Sequence, residues 1–401
     1  MKKVLVSNLT EGLIFSKPVY IEGNNLLVPA GVALRKKDID RLHSWGIESV
    51  ETEGEPLIVP DPKTKKTGET SGKTSGKSHD EPTIVTEKHT AISLPDVSEN
   101  KGPYRTYLDL IKRVDEVCSN IASGVVVEAR AIDNISGRII QSVREQRNSF
   151  IGFILGGEIK NHQTAKSLVN SAILSALIAM EMRMANHKVM QLVTGALLHD
   201  VGMLRMPKEI VEKKGGLSDA ELQRIQSHTL YGYKIVTKEL LYPEDVGLVV
   251  LQHHERWDGE GYPRRMAGTT IDLGARVVSV ADAFEAMVSK KPYRNPMMGY
   301  QAMKNLLADN LRRFDPDVIK AFIQTMGIYP IGSIILLNNG AMARVEEVAA
   351  SAPLRPRIRI LIDEFGKVFK QDEGDEIDLL IEKSLFIAKA VDPKELSIKD
   401  A

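Results

Sequence analysis

The stretch LVTGALLHD, Leu192 to Asp200, sets an apolar run directly before an imidazole and a carboxylate. Leu192, Val193, Ala196 and Leu197 recur at the spacing of one helical face, so the segment predicts a buried helix ending on His199 and Asp200. Asp282, in VVSVADAFEAM, is likewise set in apolar helical sequence. A carboxylate in such surroundings is strongly penalised unless it binds a cation or accepts hydrogen bonds. Both aspartates therefore call for partners.

Outward from this stretch, helical periodicity runs from about Tyr104 to about Ile328. Leu108, Ile111, Val114, Val117 and Ile121 mark one amphipathic face. The longest apolar run, Leu168 to Met180, is interrupted by Asn170, Ser171 and Ser175 and falls short of the ~20 residues of a membrane span, so it reads as a buried helix. Residues 1–55 carry short β-type runs divided by Gly12, Gly23 and a Pro29–Gly31 turn, then a helix predicted from Lys36 to Trp45, which makes a small α+β unit. Residues 56–100 shift to Ser, Thr, Gly and Lys and read as a flexible linker. The near-repeat SGKTSGKS at Ser71–Ser78 imitates a phosphate-binding loop, but only three residues separate its glycines and no apolar strand precedes it. After Pro330 the pattern turns to β: IGSIILL, a turn at Asn339–Gly340, AMARVEEV, RIRILI and a Phe365–Gly366 turn. The expectation is a mainly α protein: a helical bundle over 101–330, with a small N-terminal α+β domain and a β appendage over 331–401.

Composition narrows the chemistry. The 401 residues hold 53 basic and 53 acidic side chains, so no whole-chain field draws the protein to DNA or to an acidic membrane. One cysteine, Cys118, excludes an internal disulfide framework and a thiolate zinc cluster and fits a reducing compartment. The opening MKKVLVSNLTEGLIF is broken too early by Asn8, Thr10 and Glu11 for a signal peptide, and a cytoplasmic protein is expected. Metal ligands must then be imidazoles and carboxylates.

Six of the nine histidines lie between positions 162 and 254. Glu158 and His162 form an i, i+4 pair that one helical face would aim at a single point, though such a pair also serves as a plain ion pair. His199–Asp200, His228, the doublet His253–His254 and Asp282 complete the set, while His43, His79, His89 and His187 read as ordinary core or surface residues. Nitrogen and oxygen donors without sulfur suit Fe, Mn, Zn or Ni, and eight ligands are too many for one ion, so two or three are implied. Lys290, Lys291 and Arg294 add a cationic edge near Asp282, suited to a phosphate.

The segments HDVG (His199–Gly202), HHERWDGEGYP (His253–Pro263) and ADAFEAMVSKKPYR (Ala281–Arg294) resemble, in order and spacing, those of the HD-GYP family, the cyclic di-GMP phosphodiesterase branch of the HD phosphohydrolases. The resemblance covers roughly residues 152–329, and the first 55 residues are similar to the small domain often preceding such modules. It implies a helical bundle whose ligands are Glu158, His162, His199, Asp200, His228, His253, His254 and Asp282. Asp200 would bridge two divalent ions, Fe or Mn, and Glu158 would permit a third. In related HD enzymes, two His and a second Asp serve one ion and the remaining His the other. It further implies hydrolysis of cyclic di-GMP to pGpG, and onward to GMP, by a water activated between the ions, with His199 and Asp200 at the centre of catalysis. Lys291 and Arg294 match the phosphate contacts, while Gly261, Tyr262 and Pro263 match the substrate mouth and a docking point for GGDEF domains. Trp257 reads equally as a base-stacking or a packing residue. A homodimer is a further implied partner.

Three positions depart from the family pattern. Met203 stands where most members have lysine, Glu285 replaces the second aspartate of DxxD, and Lys291 replaces an arginine. Loss of one charge-neutralising donor can cost ~10²–10³ in turnover, so slow catalysis is expected. The competing reading is a catalytically weak receptor or docking module that keeps its metals and binds cyclic di-GMP or proteins. An HD hydrolase acting on another nucleotide is a third.

Overall fold

The computed structural model describes residues 2–21, 25–28, 49–57, 101–156, 162–213, 215–289, 296–308, 312–370 and 373–392, with Leu34, Lys36, Ile39, Leu42 and Ile47 besides. The chain forms two compact units, Met1–Glu81 and Pro82–Ala401.

In the first unit, β1 (Lys2–Leu5), β2 (Ile14–Phe15), β3 (Val19–Ile21), β4 (Asn25–Val28), β5 (Ser49–Thr52) and β6 (Pro56–Leu57) build a four-stranded sheet in the order β1-β5-β3-β4 and a separate β2-β6 pair. All described pairings are antiparallel. Lys36, Ile39 and Leu42 are helical at i, i+3, i+6, and the buried Leu34 and Leu42 pack with Phe15, Val19 and Val50. The remainder of the predicted Lys36–Trp45 helix, the linker from residue 58 on and the SGKTSGKS repeat lie outside the described residues, while Pro56 and Leu57, read as the start of the linker, pair with β2 as strand β6.

The second unit opens with helices α1 (Lys101–Ser123), α2 (Ala129–Gly156), α3 (Gln163–Glu181) and α4 (Asn186–Leu198). After α5 (Lys208–Val211) follow α6 (Asp219–Gln226), α7 (His228–Lys234), α8 (Glu244–Gln252), α9 (Leu273–Val288), α10 (Gly299–Ala308) and α11 (Pro316–Met326). The apolar run at Leu168–Met180 becomes the centre of α3, where fourteen of nineteen residues are buried, as a helix apolar all round demands. α1, α2, α4, α9 and α11 pack around it in one continuous core. The predicted face of α1 needs one correction. Leu108 is 38% exposed, and the buried stripe is Tyr107, Leu110, Ile111, Val114 and Ile121. Tyr107 displaces Leu108 because its ring packs among Phe150, Phe153 and Tyr104 while its hydroxyl donates to Asn170 Oδ1 at 2.7 Å.

The C-terminal part is an antiparallel sheet of β7 (Ile334–Leu337), β8 (Met342–Glu347), β9 (Arg357–Ile362), β10 (Glu376–Asp378) and β11 (Ile387–Val391), in the order β10-β9-β8-β7-β11. The three strands legible in the sequence are its centre. The two edge strands were not legible, because β10 is three residues long and β11 buries only Val391, so neither shows a full apolar alternation. Among the described residues no helix is long and apolar enough to cross a membrane.

Candidate metal centre

Three helical ends and one helix interior meet at one point. His199 and Asp200 follow α4, His228 opens α7, His253 and His254 follow α8, and Asp282 lies midway along α9. The close crossing that allows this depends on glycine. A Cβ on Gly202 would lie 1.9 Å from the His228 carbonyl oxygen and 2.6 Å from the Gly232 nitrogen, so only glycine lets the turn after Asp200 press against α7.

The three deepest imidazoles are held alike. Nδ1 of His199, His228 and His253 lies 2.7, 2.7 and 2.8 Å from the carbonyls of Ala196, Ile225 and Val250, each three residues earlier. A carbonyl only accepts, so each Nδ1 carries the proton and donates it. In the neutral ring Nε2 is then a lone-pair donor aimed inward, the arrangement that orients metal-bound histidines.

The Nε2 atoms converge on Asp200. Its Oδ1 lies 3.3 Å from His228 Nε2 and 3.7 Å from His253 Nε2, and its Oδ2 lies 3.5 Å from His199 Nε2. Asp282 Oδ1 is 3.5 Å from the same His199 Nε2, and the His228 and His253 Nε2 atoms are 3.5 Å apart. One ligand atom from each of Asp200, His228, His253 and His254 falls within a 4.8 Å group. These separations are long for hydrogen bonds, but ligands ~2.0–2.2 Å from a shared cation are spaced by about 3–3.5 Å. His199 Nε2 is buried without a hydrogen-bond partner, and two lone pairs face one another between His228 and His253. Both features fit a divalent cation. The His199, His228 and His253 side chains are at most 2% exposed, whereas Asp200 and Asp282 keep 38% and 26%, so the carboxylates form the accessible floor.

Charge in the metal-free cluster follows from this packing. Burial disfavours the His199 imidazolium, but Asp200 and Asp282 outweigh it and raise its pKa to about 9. Burial would raise Asp200, yet the surrounding imidazoles hold it well below the usual carboxylate range. His254 is driven well below the ordinary imidazole value by burial and then by His253.

The loop after the doublet is fastened from below. Glu255, 3% exposed, accepts from the backbone nitrogens of Arg264 at 2.7 Å and Met266 at 2.9 Å. A Cβ on Gly261 would lie 2.4 Å from the Arg256 nitrogen, so the loop returns tightly on its own start. Tyr262 is thereby laid against His254, ring centres 4.7 Å apart, with its edge toward His228. Trp257 packs beneath the Arg276 guanidinium, 5.7 Å from its ring centre, and Arg276 pairs with Asp315 at 2.5 Å, so the indole is engaged in packing.

Of the residues singled out from sequence, His199, Asp200, His228, His253, His254 and Asp282 meet here, with Gly261, Tyr262 and Pro263 beside them. His162 does not join the group of four. It precedes α3 with φ of 60°, and its Nδ1 lies 2.8 Å from Asp115 Oδ2 on α1. Glu158, Lys290, Lys291 and Arg294 lie outside the described residues. Glu285 is buried in a polar network, accepting from Ser167, Asn170 and Ser289. Asp115 and the anchoring role of Glu255 carry no sequence signal, because both partnerships are tertiary.

Residues 157–318 match the HD domain family, and residues 334–399 match the KOW domain associated with HD domain. The HD domain match takes in all six residues of the cluster. It is 30% identical over 230 residues to cyclic di-GMP phosphodiesterase PdeB of Borreliella burgdorferi, covering 57% of this chain and 60% of that protein. It is 29% identical to the cyclic di-GMP phosphodiesterase PA4108 of Pseudomonas aeruginosa, covering 61% and 59%. It is 32% identical to 3'3'-cGAMP-specific phosphodiesterase 3 of Vibrio cholerae, covering 43% and 37%. The chain thus spans about 60% of the length of the first two relatives.

Proposed function

We propose that this chain is a divalent-metal-dependent phosphodiesterase that opens cyclic di-GMP to linear pGpG. The observation that carries the reading is the division of Asp200 between two donor sets. Oδ2 faces His199, which Asp282 shares, and Oδ1 faces His228 and His253. One carboxylate reaching two sets is what a two-cation phosphodiester site requires. Cations held there supply Lewis acidity toward a phosphodiester and an acidified water.

The remaining work belongs to the protein. The three Nδ1–H···O=C bonds fix imidazole tautomer and direction, so the donors need no rearrangement when a substrate arrives. The exposed carboxylate floor meets the phosphodiester, and Tyr262 closes one side. Lys291 and Arg294 would neutralise phosphate charge, and Glu158 with His162 would hold a third ion. Fe or Mn suits this nitrogen and oxygen donor set. The similarity to the cyclic di-GMP phosphodiesterases of Borreliella burgdorferi and Pseudomonas aeruginosa supports the substrate.

Met203 favours a second reading, a weakly active receptor. Its thioether lies in the turn Val201–Arg205, three residues from Asp200, and cannot donate a charge-assisted hydrogen bond. Anaerobically prepared protein loaded with Fe or Mn is expected to convert cyclic di-GMP to pGpG, with Asp200→Asn lowering turnover by about 10³ or more. Met203→Lys is expected to raise the rate about tenfold or more. Tight binding without linear product under either metal would select the receptor.

A further inference from the structure

A pocket of about 380 Å³ opens between α6, the start of α7 and the Gly259–Pro263 loop, sharing the Tyr262 wall with the metal centre. Its volume lies in the range of small-ligand sites. Tyr262, Pro263 and Leu230 supply apolar surface, and Leu230 is 45% exposed although apolar. Around these stand four hydrogen-bonding side chains, Gln223, Gln226, Glu260 and Arg265. Among the described residues none of the four side chains is in a hydrogen bond or ion pair, in a region where neighbouring polar groups such as Arg256, Asp258 and Glu255 are all engaged.

Arg265 is also held in a costly conformation. Its φ is 55°, in the left-handed region, which a non-glycine residue adopts at an energetic cost when the surroundings enforce it. The enforcement is visible: the peptide nitrogens on either side, Arg264 and Met266, both donate to the buried Glu255. The loop is thus clamped through its backbone while Arg265, exposed between the two clamps, lines the pocket.

We infer that this pocket takes a purine base of the substrate and selects guanine, with Arg265 facing the O6/N7 edge and Glu260 accepting from N1–H and the exocyclic amine. Guanine requires donors at O6 and N7, which a guanidinium offers in fork geometry, and an acceptor beside N1 and N2, which a carboxylate offers. Adenine at the same place would keep its N7 acceptor but turn its amine toward the guanidinium and its N1 lone pair toward the carboxylate, so the guanidinium loses one of its two bonds and the carboxylate both. Tyr262, Pro263 and Leu230 cover the base faces, and the glutamines can serve either purine. The inference rests on the nucleotide-phosphodiesterase reading, and it assigns Glu255 as a positioning residue for Arg265.

Two measurements on the intact, Mn-loaded chain separate the pocket from the reaction. Direct calorimetric binding of GMP and AMP is expected to favour GMP by about tenfold or more, and Arg265→Asn, which tolerates positive φ, and Glu260→Gln are each expected to remove that preference. In hydrolysis, the ratio of kcat/KM for cyclic di-GMP to that for bis(4-nitrophenyl) phosphate, which has no base, is expected to fall about tenfold in both variants through KM. Glu255→Gln is expected to shift the same ratio while Arg265 stays in place. If cyclic di-GMP is not cleaved but GMP preference is present and lost in the variants, the reaction fails and the pocket stands. If GMP and AMP bind equally, or both variants keep the wild-type preference, the inference is overturned.

Discussion

At the scale of single residues, the metal centre is a problem in proton placement. Metal-free, His199 holds a proton up to about pH 9 because Asp200 and Asp282 outweigh burial, and that proton must leave before Nε2 can act as a ligand. Metal affinity is therefore expected to rise about tenfold per pH unit between 7 and 9, with close to one proton released per chain from this residue. Titration in two buffers of different ionisation enthalpy checks this, and a pH-independent affinity would contradict it. The same group gives a stability signature of opposite sign in the metal-free protein. Its folded pKa lies above its ordinary 6.5, so its contribution is complete below about pH 6.5 and is lost as pH rises through about 9. Denaturant unfolding of chelated protein across this window is expected to show that decline.

Residue identity was the most legible part of the site. Asp200 and Asp282 stood out because a carboxylate in an apolar helix needs a cause, and the imidazoles stood out by number. Orientation was not legible. Nothing in the sequence announces that three Nδ1 atoms are tied to carbonyls three residues back, or that His162 is met by Asp115, because these depend on how helix ends are cut and packed.

At the scale of elements, the site exists because loops return tightly onto helix ends. Gly202 is the contact between the turn after Asp200 and α7. Gly202→Ala must push α7 away from Asp200, costing about 1–3 kcal/mol of stability, and metal content is expected to fall with it. Melting temperature together with metal analysis checks both; a variant of wild-type stability and stoichiometry would show the crossing to be yielding. Glu255→Ala is expected to behave differently. It leaves two loop amides without an acceptor, so the Gly259–Met266 segment should gain hydrogen exchange while α3 and α4, in the core, stay protected. Uniform protection would contradict the anchoring role. Helices were legible here through periodicity, as α3 and α4 illustrate. The face of α1 was misread by one position because Tyr107 carries an aromatic contact and a buried hydroxyl bond that a hydrophobic count does not weigh.

At the scale of the whole molecule, the cluster ties α4, α7, α8 and α9 together through side chains that include the facing Nε2 atoms of His228 and His253, which a cation would bind. A ligand that binds only the folded chain stabilises it by about 2.7 kcal/mol at a hundredfold excess over Kd. Chelation is therefore expected to lower Tm by several degrees, with restoration by Mn or Fe; an unchanged Tm would mean that the donors are satisfied without metal. The architecture of a helical bundle between two β-rich segments was legible from composition and period. The identity of the last segment, matching the KOW domain associated with HD domain, was not, since short strands alternate weakly and one sheet of them resembles many others.

The most direct test is metal stoichiometry resolved by site. Protein prepared without oxygen and supplied with Fe or Mn should carry at least two ions per chain, and His199→Ala and His228→Ala should each lose about one, while Asp200→Asn should lose both. A chain that binds one ion or none, or whose ions survive Asp200→Asn, would contradict the claim that this carboxylate joins two cation sites.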